Sequence, residues 1–430
     1  MAASNEYKDI SISFEMPNKP LRLQSIDVFR ALTMFFMVFV NDLDPIPGVP
    51  EWIKHVGRNT DGLGFADTIF PAFLFIVGLS IPFALRKRIE AGDITHIFLR
   101  SFALICMGFF QVNLESYNAA AAVLPKALWE ICITVAFFAI WLDYPKTMSR
   151  SRRMAIQGAG VMLLVVMGIL YRGGQPDQVE WLKPQWWGIL GLIGWSYFLC
   201  AVLFWLSKGR TGWLVAGFLF FLAFNIADHA GWLDGLSDVH DYVWIVGNGA
   251  MPAMTMGGVV IGVWYMAAAG GVPAATATGV MAASAAAPVA AAPSPGKASR
   301  FRSWLVLAGA LAIAAGFALR SLGGISKIHD TPSWVLICTG ISILVFDGLI
   351  YLVDVRGRSG WFKWIKPAGT STLTCYLVPY LLYSLYTLCH FKFPTLLNEG
   401  TGGLIKSLVT AYVVVWITGM LEKRHLRLKI

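Results

Sequence analysis

Charged residues are scarce in this sequence. Only 14% of its 430 residues are Asp, Glu, Lys or Arg, whereas 57% are hydrophobic. Such a balance is typical of membrane proteins rather than soluble ones. The apolar residues occur in repeated runs of roughly 20, the length that crosses a hydrocarbon core about 30 Å thick. The composition therefore predicts a polytopic membrane protein.

The sequence also lacks the usual signs of metal binding, secretion and nucleic-acid binding. None of its six cysteines forms a C-x-x-C pair, so we expect neither a disulfide framework nor a metal site. The first twenty residues contain no basic segment followed by an apolar stretch, so we expect no cleavable signal. The net charge of +9 is divided among many loops rather than gathered in one stripe, which argues against a nucleic-acid partner.

The apolar runs predict an all-α, polytopic transmembrane helical bundle of about 12 spans. Basic residues concentrate in alternate connections, a distribution that places both termini in the cytoplasm and the loop 42–67 outside it. Aromatic residues cluster at the ends of the spans, as expected at membrane interfaces. The predicted spans are 24–42, 65–85, 96–112, 120–142, 154–170, 186–206, 212–228, 249–267, 303–320, 332–353, 369–389 and 403–421.

One low-complexity segment divides these spans into two blocks. Residues 268–301 are rich in Ala, Gly, Pro and Ser, a composition that buries little surface and predicts a flexible cytoplasmic linker. A cytoplasmic tail, 1–23, precedes a first transmembrane block of about eight helices, 24–267, which includes the loop 42–67. The second block, 302–430, has about four helices and ends in a basic tail.

Charges within the spans are candidates for function because burying them in lipid is costly. Asp27 and Arg30 are three positions apart on one helical face, so we expect them to pair. Asp347 has no opposite charge within its own helix and needs a partner from another helix, a cavity or a proton. Gly258 and Gly262 form a G-x-x-x-G pattern that predicts close helix packing.

A histidine, an asparagine and an aspartate fall at one end of the first helical hairpin. Asn41 ends the first span, His55 lies in the loop, and Asp67 begins the second span. A neutral imidazole takes a proton near neutral pH, a carboxylate fixes its tautomer, and an amide donates to a developing oxyanion. These three groups suit acyl transfer.

Several blocks of the sequence resemble the heparan-α-glucosaminide N-acetyltransferase family. The first is the most specific: "RLQSIDVFRALTMFFMVFVND", then "KH", then "GLGFADTIFPAFLFIVGLSI". The resemblance resumes at "MPAMTMGGVVIGVWY", at "ISKIHDTPSWVLICTGISILVFDGLIYLVDV", at "PAGTSTLTCYLVPYLLY" and at "LEKRHLRLKI". Together these blocks cover about two thirds of the chain in consistent order.

This resemblance implies a transmembrane acetyltransferase that moves an acetyl group from cytoplasmic acetyl-CoA, its co-substrate, to an extracytoplasmic amino sugar such as a terminal glucosamine. It implies that His55 is catalytic and that Asn41 is functional, and we add Asp67 as the residue that orients His55. The CoA arm must then enter the bundle from the cytoplasmic end. Basic residues at that end are candidates to bind its phosphates: Arg22, Arg30, Arg86, Arg88, Arg302, Lys366 and Arg424.

The resemblance is incomplete in four places. Ala31 replaces a glycine of the family pattern, and Asp347 lies where that pattern is apolar. Two predicted spans at 186–206 and 212–228 occupy a region that is mainly a loop in the lysosomal enzymes, and we expect no counterpart of their luminal domain. The acceptor therefore stays open among glucosamine, oligosaccharides and other glycans. The compact chain favours a bacterial inner-membrane protein, and small residues along the spans leave room for a homodimer.

Two further alternatives stay open at this stage. Direct transfer in a ternary complex is the first choice, and an acetyl-His55 intermediate with ping-pong kinetics is the other. The rival function is a proton-coupled secondary transporter of a small solute, with Asp27, Asp228 or Asp347 as proton sites. A transporter would tolerate the loss of His55, whereas the acyltransferase would not.

Overall fold

The computed structural model describes residues 24–175, 177–235, 246–268 and 295–430. The predicted N-terminal tail, including Arg22, lies outside these residues, as does most of the predicted linker. A helix begins at Pro295, before the predicted end of the linker.

Among the residues that the structure describes, the first block forms eight long helices. Two short antiparallel strands, β1 (Gly173–Gln175) and β2 (Gln178–Glu180), lie between the fifth and sixth helices. The hydroxyl of Ser149 accepts a hydrogen bond from the backbone N–H of Arg152 and so caps the fifth helix. The helices are α1 Gln24–Leu43, α2 Ala66–Glu90, α3 Thr95–Val112, α4 Lys126–Trp141, α5 Arg150–Leu170, α6 Gly188–Leu206, α7 Thr211–His229 and α8 Ala250–Ala268.

The second block begins with two long helices and ends with two more. Thr331 caps the second of these helices at its N-terminus, where Pro332 occupies the first position without the loss of a hydrogen bond. A π-helical turn, Ile350–Val355, prolongs the same helix. The helices are α9 Pro295–Ala318, α10 Pro332–Leu349, the short α11 Lys366–Thr370, α12 Thr372–Leu388 and α13 Gly400–Lys423.

Within the described residues, nine helices are long and apolar enough to cross a membrane, which makes the chain a multi-pass membrane protein. The other three of the twelve predicted spans form helices that are more charged or shorter than these nine. α1 carries Asp27, Arg30 and Asp42, while α4 and α12 have only 16 and 17 residues. The total of twelve spans and the cytoplasmic position of both termini stay predictions.

The closest packing in the bundle joins α2 to α8, the most buried of the nine candidate spans. A Cβ atom on Gly258 would lie 2.0 Å from the carbonyl oxygen of Phe75, and one on Gly262 would lie 2.7 Å from that of Leu79. The glycines therefore let the two backbones touch, and the close packing predicted from the G-x-x-x-G pattern is confirmed.

The bundle has two ends, which we name by the position of His55. The His55 end is where α1 ends and α2 begins, and α13 also begins there because the backbone N–H of Gly400 donates to the carbonyl of Pro47 at 2.8 Å. The opposite end is where α1 begins, beside Gly369 of α11. About 30 Å separates the two ends, since α1 has 20 residues and rises roughly 1.5 Å per residue.

Candidate functional site

Two loops meet at the His55 end of the bundle. The first joins α1 to α2, and the second joins α9 to α10. The carboxylate of Asp61 in the first loop accepts hydrogen bonds from the backbone N–H of Ile325 at 2.7 Å and from Nε of Arg320 at 2.8 Å. The Ile325 hydrogen bond, followed by the Arg320 side chain, holds the pKa of Asp61 below its ordinary value. Both loops therefore form one surface.

His55 is hydrogen-bonded to Asp67, as expected if Asp67 orients a catalytic His55. His55 Nδ1 lies 2.7 Å from Oδ1 of Asp67. The second oxygen of Asp67 accepts from the backbone N–H groups of Val56 at 3.0 Å and Gly64 at 3.1 Å. A carboxylate surrounded by three donors is held as an acceptor, so Nδ1 carries the hydrogen and Nε2 keeps its lone pair.

The position of Asp67 follows from the local chain. It is the second residue of α2, where free backbone N–H groups favour a negative charge, and only 2% of its surface is exposed. Its own carbonyl accepts a hydrogen bond from Nε1 of the buried Trp334 at 3.2 Å. The carboxylate is therefore rigid, whereas the His55 side chain is 27% exposed and accessible to a substrate.

Lys327 lies beside His55 and Asp67, and the sequence alone does not predict it as a site residue. Its Nζ lies 3.2 Å from Nδ1 and 3.5 Å from Nε2 of His55. Burial lowers the pKa of Lys327, and the charges of Asp67, Asp44 and Asp330 oppose that effect. The amine therefore lies beside the imidazole ring of His55, nearer to Nδ1 than to Nε2.

Asp330 is a second titratable residue beside Lys327. Burial raises the pKa of its carboxyl to about 8, and the Lys327 charge only partly opposes the change. Its backbone carbonyl accepts from Nδ2 of Asn225 at 2.9 Å, and its φ is +52°, a conformation that Asn tolerates as well as Asp. The residue thus ties the site to the end of α7.

Replacing Asp330 by Asn should stabilise the protein near neutral pH. Between the carboxyl's ordinary value near 4 and its folded value of about 8, only the unfolded chain is ionised. The unfolded chain then binds fewer protons, so wild-type stability falls as pH rises through that window. We expect Asp330→Asn to raise the melting temperature at pH 7.5 by about 2 to 4 °C. The gain should shrink at pH 5, and equal gains at both pH values would contradict the assigned pKa.

Asn41 lies at the same end of the bundle but does not touch His55. Its side chain is exposed at the end of α1 and makes no hydrogen bond within the described residues. The next residue, Asp42, is buried and accepts hydrogen bonds from Tyr383 and Ser407, each at 2.7 Å. The fixed carboxylate of Asp42 therefore anchors the helix end and leaves the amide of Asn41 open to a ligand.

The predicted phosphate-binding residues that the structure describes all lie at the opposite end, and four of them have acidic partners. Within the same described ranges, no group of three or more His, Cys, Asp or Glu side chains could hold a metal ion. Lys366 and Arg424 are exposed. The ion pairs are Arg30 with Asp27 at 3.3 Å, Arg86 with Glu90 at 3.7 Å, Arg88 with Asp93 at 3.0 Å and Arg302 with Asp347 at 2.9 Å.

Two of these ion pairs answer questions raised by the sequence. The pairing of Asp27 with Arg30 is confirmed. Asp347 takes its partner from another helix, because Arg302 of α9 donates to both of its oxygens at 3.0 and 2.9 Å. The guanidinium of Arg302 also lies 4.6 Å from the centre of the Tyr351 ring. Two nitrogens of its guanidinium, Nε and Nη2, are therefore engaged within the protein.

Comparisons with known proteins agree with the resemblance seen in the sequence. A family described as "Domain of unknown function (DUF5009)" matches residues 22–245. The heparan-alpha-glucosaminide N-acetyltransferase of Homo sapiens is 40% identical over 100 residues, which are 22% of this chain and 14% of that protein. The Mus musculus protein of the same name is 40% identical over 98 residues, 21% of this chain and 14% of that protein.

The chain thus spans a small part of the length of these curated relatives. The aligned residues are also fewer than those in the sequence blocks described above. The identity is nevertheless high enough to show that the chain is related to these proteins.

Proposed function

Because the chain belongs to the DUF5009 family, whose description names no activity, we propose its function from the site and from its relatives. The protein is a membrane-embedded acetyltransferase. It moves an acetyl group from cytoplasmic acetyl-CoA to an amino sugar or glycan on the other side of the membrane. The proposal draws on the names of the human and mouse relatives, which are N-acetyltransferases of a glucosaminide.

The observation that carries this proposal is the 2.7 Å hydrogen bond between His55 Nδ1 and Asp67. It leaves Nε2 to remove a proton from the acceptor amine as the nitrogen attacks the thioester carbonyl. Asn41 donates a hydrogen bond to the oxyanion of the tetrahedral intermediate. The carbon–sulfur bond then breaks, and the imidazolium returns the proton to the leaving thiolate.

Lys327 contributes charge at this step. As an ammonium 3.2 Å from Nδ1 and 3.5 Å from Nε2 of His55, it stabilises the anionic intermediate while His55 holds the proton. Its partly buried position strengthens that interaction relative to an exposed lysine. Asp67 and Lys327 therefore both act on the imidazole of His55.

The donor reaches this site through the bundle. The basic residues predicted to bind CoA lie about 30 Å from the His55 end, so the phosphates and the thioester must occupy different ends of the protein. We place the opposite end in the cytoplasm, in keeping with the positive-inside distribution of basic residues. A bacterial inner membrane and a homodimer are part of the same proposal.

The rival transporter function finds less support in the structure. Two of its three candidate proton sites, Asp27 and Asp347, are ion-paired with arginine. The arginine partners account for these carboxylates within the bundle without a transported proton. We therefore propose transfer rather than transport.

The test of this function is a vectorial transfer assay. Purified protein is reconstituted into liposomes, radiolabelled acetyl-CoA is supplied on one side, and glucosamine is trapped on the other. We expect N-acetylglucosamine to form in the compartment that holds no acetyl-CoA. Protein-free liposomes are the control, and the appearance of unacetylated glucosamine on the acetyl-CoA side would support the transporter instead.

The same preparation separates the two orders of reaction. Direct transfer leaves the protein unlabelled when acetyl-CoA is added without an acceptor. An acetyl-His55 intermediate would label the protein with an acetyl group that hydroxylamine removes. We expect no such label.

A further inference from the structure

A cavity of about 220 Å³ lies between α1, α2, α3, α6 and α12. Nearer the His55 end it is lined by Met37 and Phe73, and at the opposite end by Arg100 and Lys429. Met37 is one helical turn before Asn41 on the same face of α1, so the cavity points toward that amide. Most of its wall is apolar. The cavity therefore leads from two cations toward the candidate site.

Arg100 has the properties of a residue that awaits an anionic ligand. It lies in the second turn of α3, and its Nε is buried without a hydrogen-bond partner in the part of the chain that the structure describes. Its guanidinium lies 4.8 Å from the centre of the Tyr197 ring, which orients it. An arginine within a membrane span is costly to bury, and its planar donors match a phosphate.

Lys429 is brought to the same place by the segment that follows α13. We call this segment, Arg427–Ile430, the strap. Arg427 donates to one oxygen of Asp143 from Nε at 3.0 Å and from Nη2 at 2.9 Å. The backbone N–H of Lys429 donates to the carbonyl of Trp141 at 2.8 Å. Nζ of Lys429 also lies 3.5 Å from the other oxygen of Asp143. These contacts hold the strap across the end of α4, where its lysine lines the cavity.

We propose that this cavity binds the phosphopantetheine arm of the donor, with Arg100 as the principal phosphate-binding residue and Lys429 as the second. The inference rests on the proposed function, which supplies CoA as the donor. The arm is anionic at one end and carries the thioester at the other, and the cavity has cations at one end and points to Asn41 at the other. An anionic phospholipid shares the phosphate chemistry, but it has no group that requires the position beneath Asn41.

The test compares two ligands on three variants of the full-length protein. CoA carries the phosphates, whereas pantetheine has the same arm without them. We expect Arg100→Gln to weaken CoA binding roughly 10-fold and to leave pantetheine binding unchanged. Arg100→Lys should retain part of the CoA affinity. The matched control is Arg150→Gln, which removes an exposed positive charge from the same end but does not line the cavity.

Three results would overturn the inference. Arg100→Gln could bind CoA as well as Arg150→Gln does, or it could lose affinity for CoA and pantetheine equally, which would indicate a structural role. Native mass spectrometry could instead find a phospholipid that depends on Arg100 and that excess CoA does not displace.

This inference and the proposed function can fail separately. Arg100-dependent CoA binding without acetyl transfer would retain the donor site and reject the function. Acetyl transfer by a wild-type protein whose CoA affinity is indifferent to Arg100 would retain the function and reject the donor site.

Discussion

Replacing His55 by Gln should reduce acetyl transfer about 10²- to 10⁴-fold, the range expected when a general base is lost. Gln is similar in size and polar, but it cannot take the proton from an attacking amine at neutral pH. The loss should appear in kcat, because His55 lies at the end opposite the residues proposed to bind CoA. The measurement is the initial rate of acetyl transfer to glucosamine at saturating acetyl-CoA, together with the Kd for CoA.

His390→Gln is the matched control for this prediction. His390 is an exposed histidine that follows α12 at the same end of the bundle, with no side-chain hydrogen bond within the described residues. We expect it to keep wild-type activity. If His55→Gln transfers acetyl groups as fast as His390→Gln does, His55 is not the base and the mechanism must be abandoned.

Replacing Asp67 by Asn should lower kcat by about 10²- to 10³-fold even though the shape of the side chain is kept. The amide can still accept from the backbone N–H groups of Val56 and Gly64, but its NH₂ group then faces His55 Nδ1. His55 would respond with a hydrogen on Nε2 instead, the tautomer that cannot remove a proton from the acceptor. The proposed base would be present but inactive.

A purely structural role for Asp67 would give a different result. Asp67→Asn should retain CoA affinity while the pH dependence of kcat changes, whereas a misfolded protein would lose both activity and CoA binding. Glu51→Gln is the control, since Glu51 is an exposed carboxylate in the same loop. Unchanged kcat and an unchanged pH profile in Asp67→Asn would refute the orienting role.

The sequence predicted the local part of the candidate site better than the long-range part. Asn41, His55 and Asp67 belong to one helical hairpin, so their order alone places them at one end of it. Lys327 is 272 positions from His55, and no helical period or charge pattern links the two. The signal that could have found it is the position of Lys327 within "ISKIHDTPSW", one of the blocks that resemble the family.

For the fold, too, the positions of the helices were predictable from the sequence, whereas the contacts between helices were not. Apolar runs predicted where helices occur, because lipid requires them wherever the chain crosses. The need of Asp347 for a partner was also clear from its own helix. The identity of that partner, Arg302 of α9, was not clear from the sequence. Helix pairing depends on side-chain packing between segments, and one sequence does not reveal it.

The meeting of the two loops also has a consequence for biosynthesis. A membrane protein is synthesised from its N-terminus, so the hairpin that carries His55 and Asp67 is made first. The residues that complete the surface around it, Arg320, Ile325 and Lys327, follow only with the α9–α10 hairpin. A half-made chain would therefore hold a histidine and its carboxylate without the neighbouring lysine. The order of translation would delay a complete site until the second block has inserted.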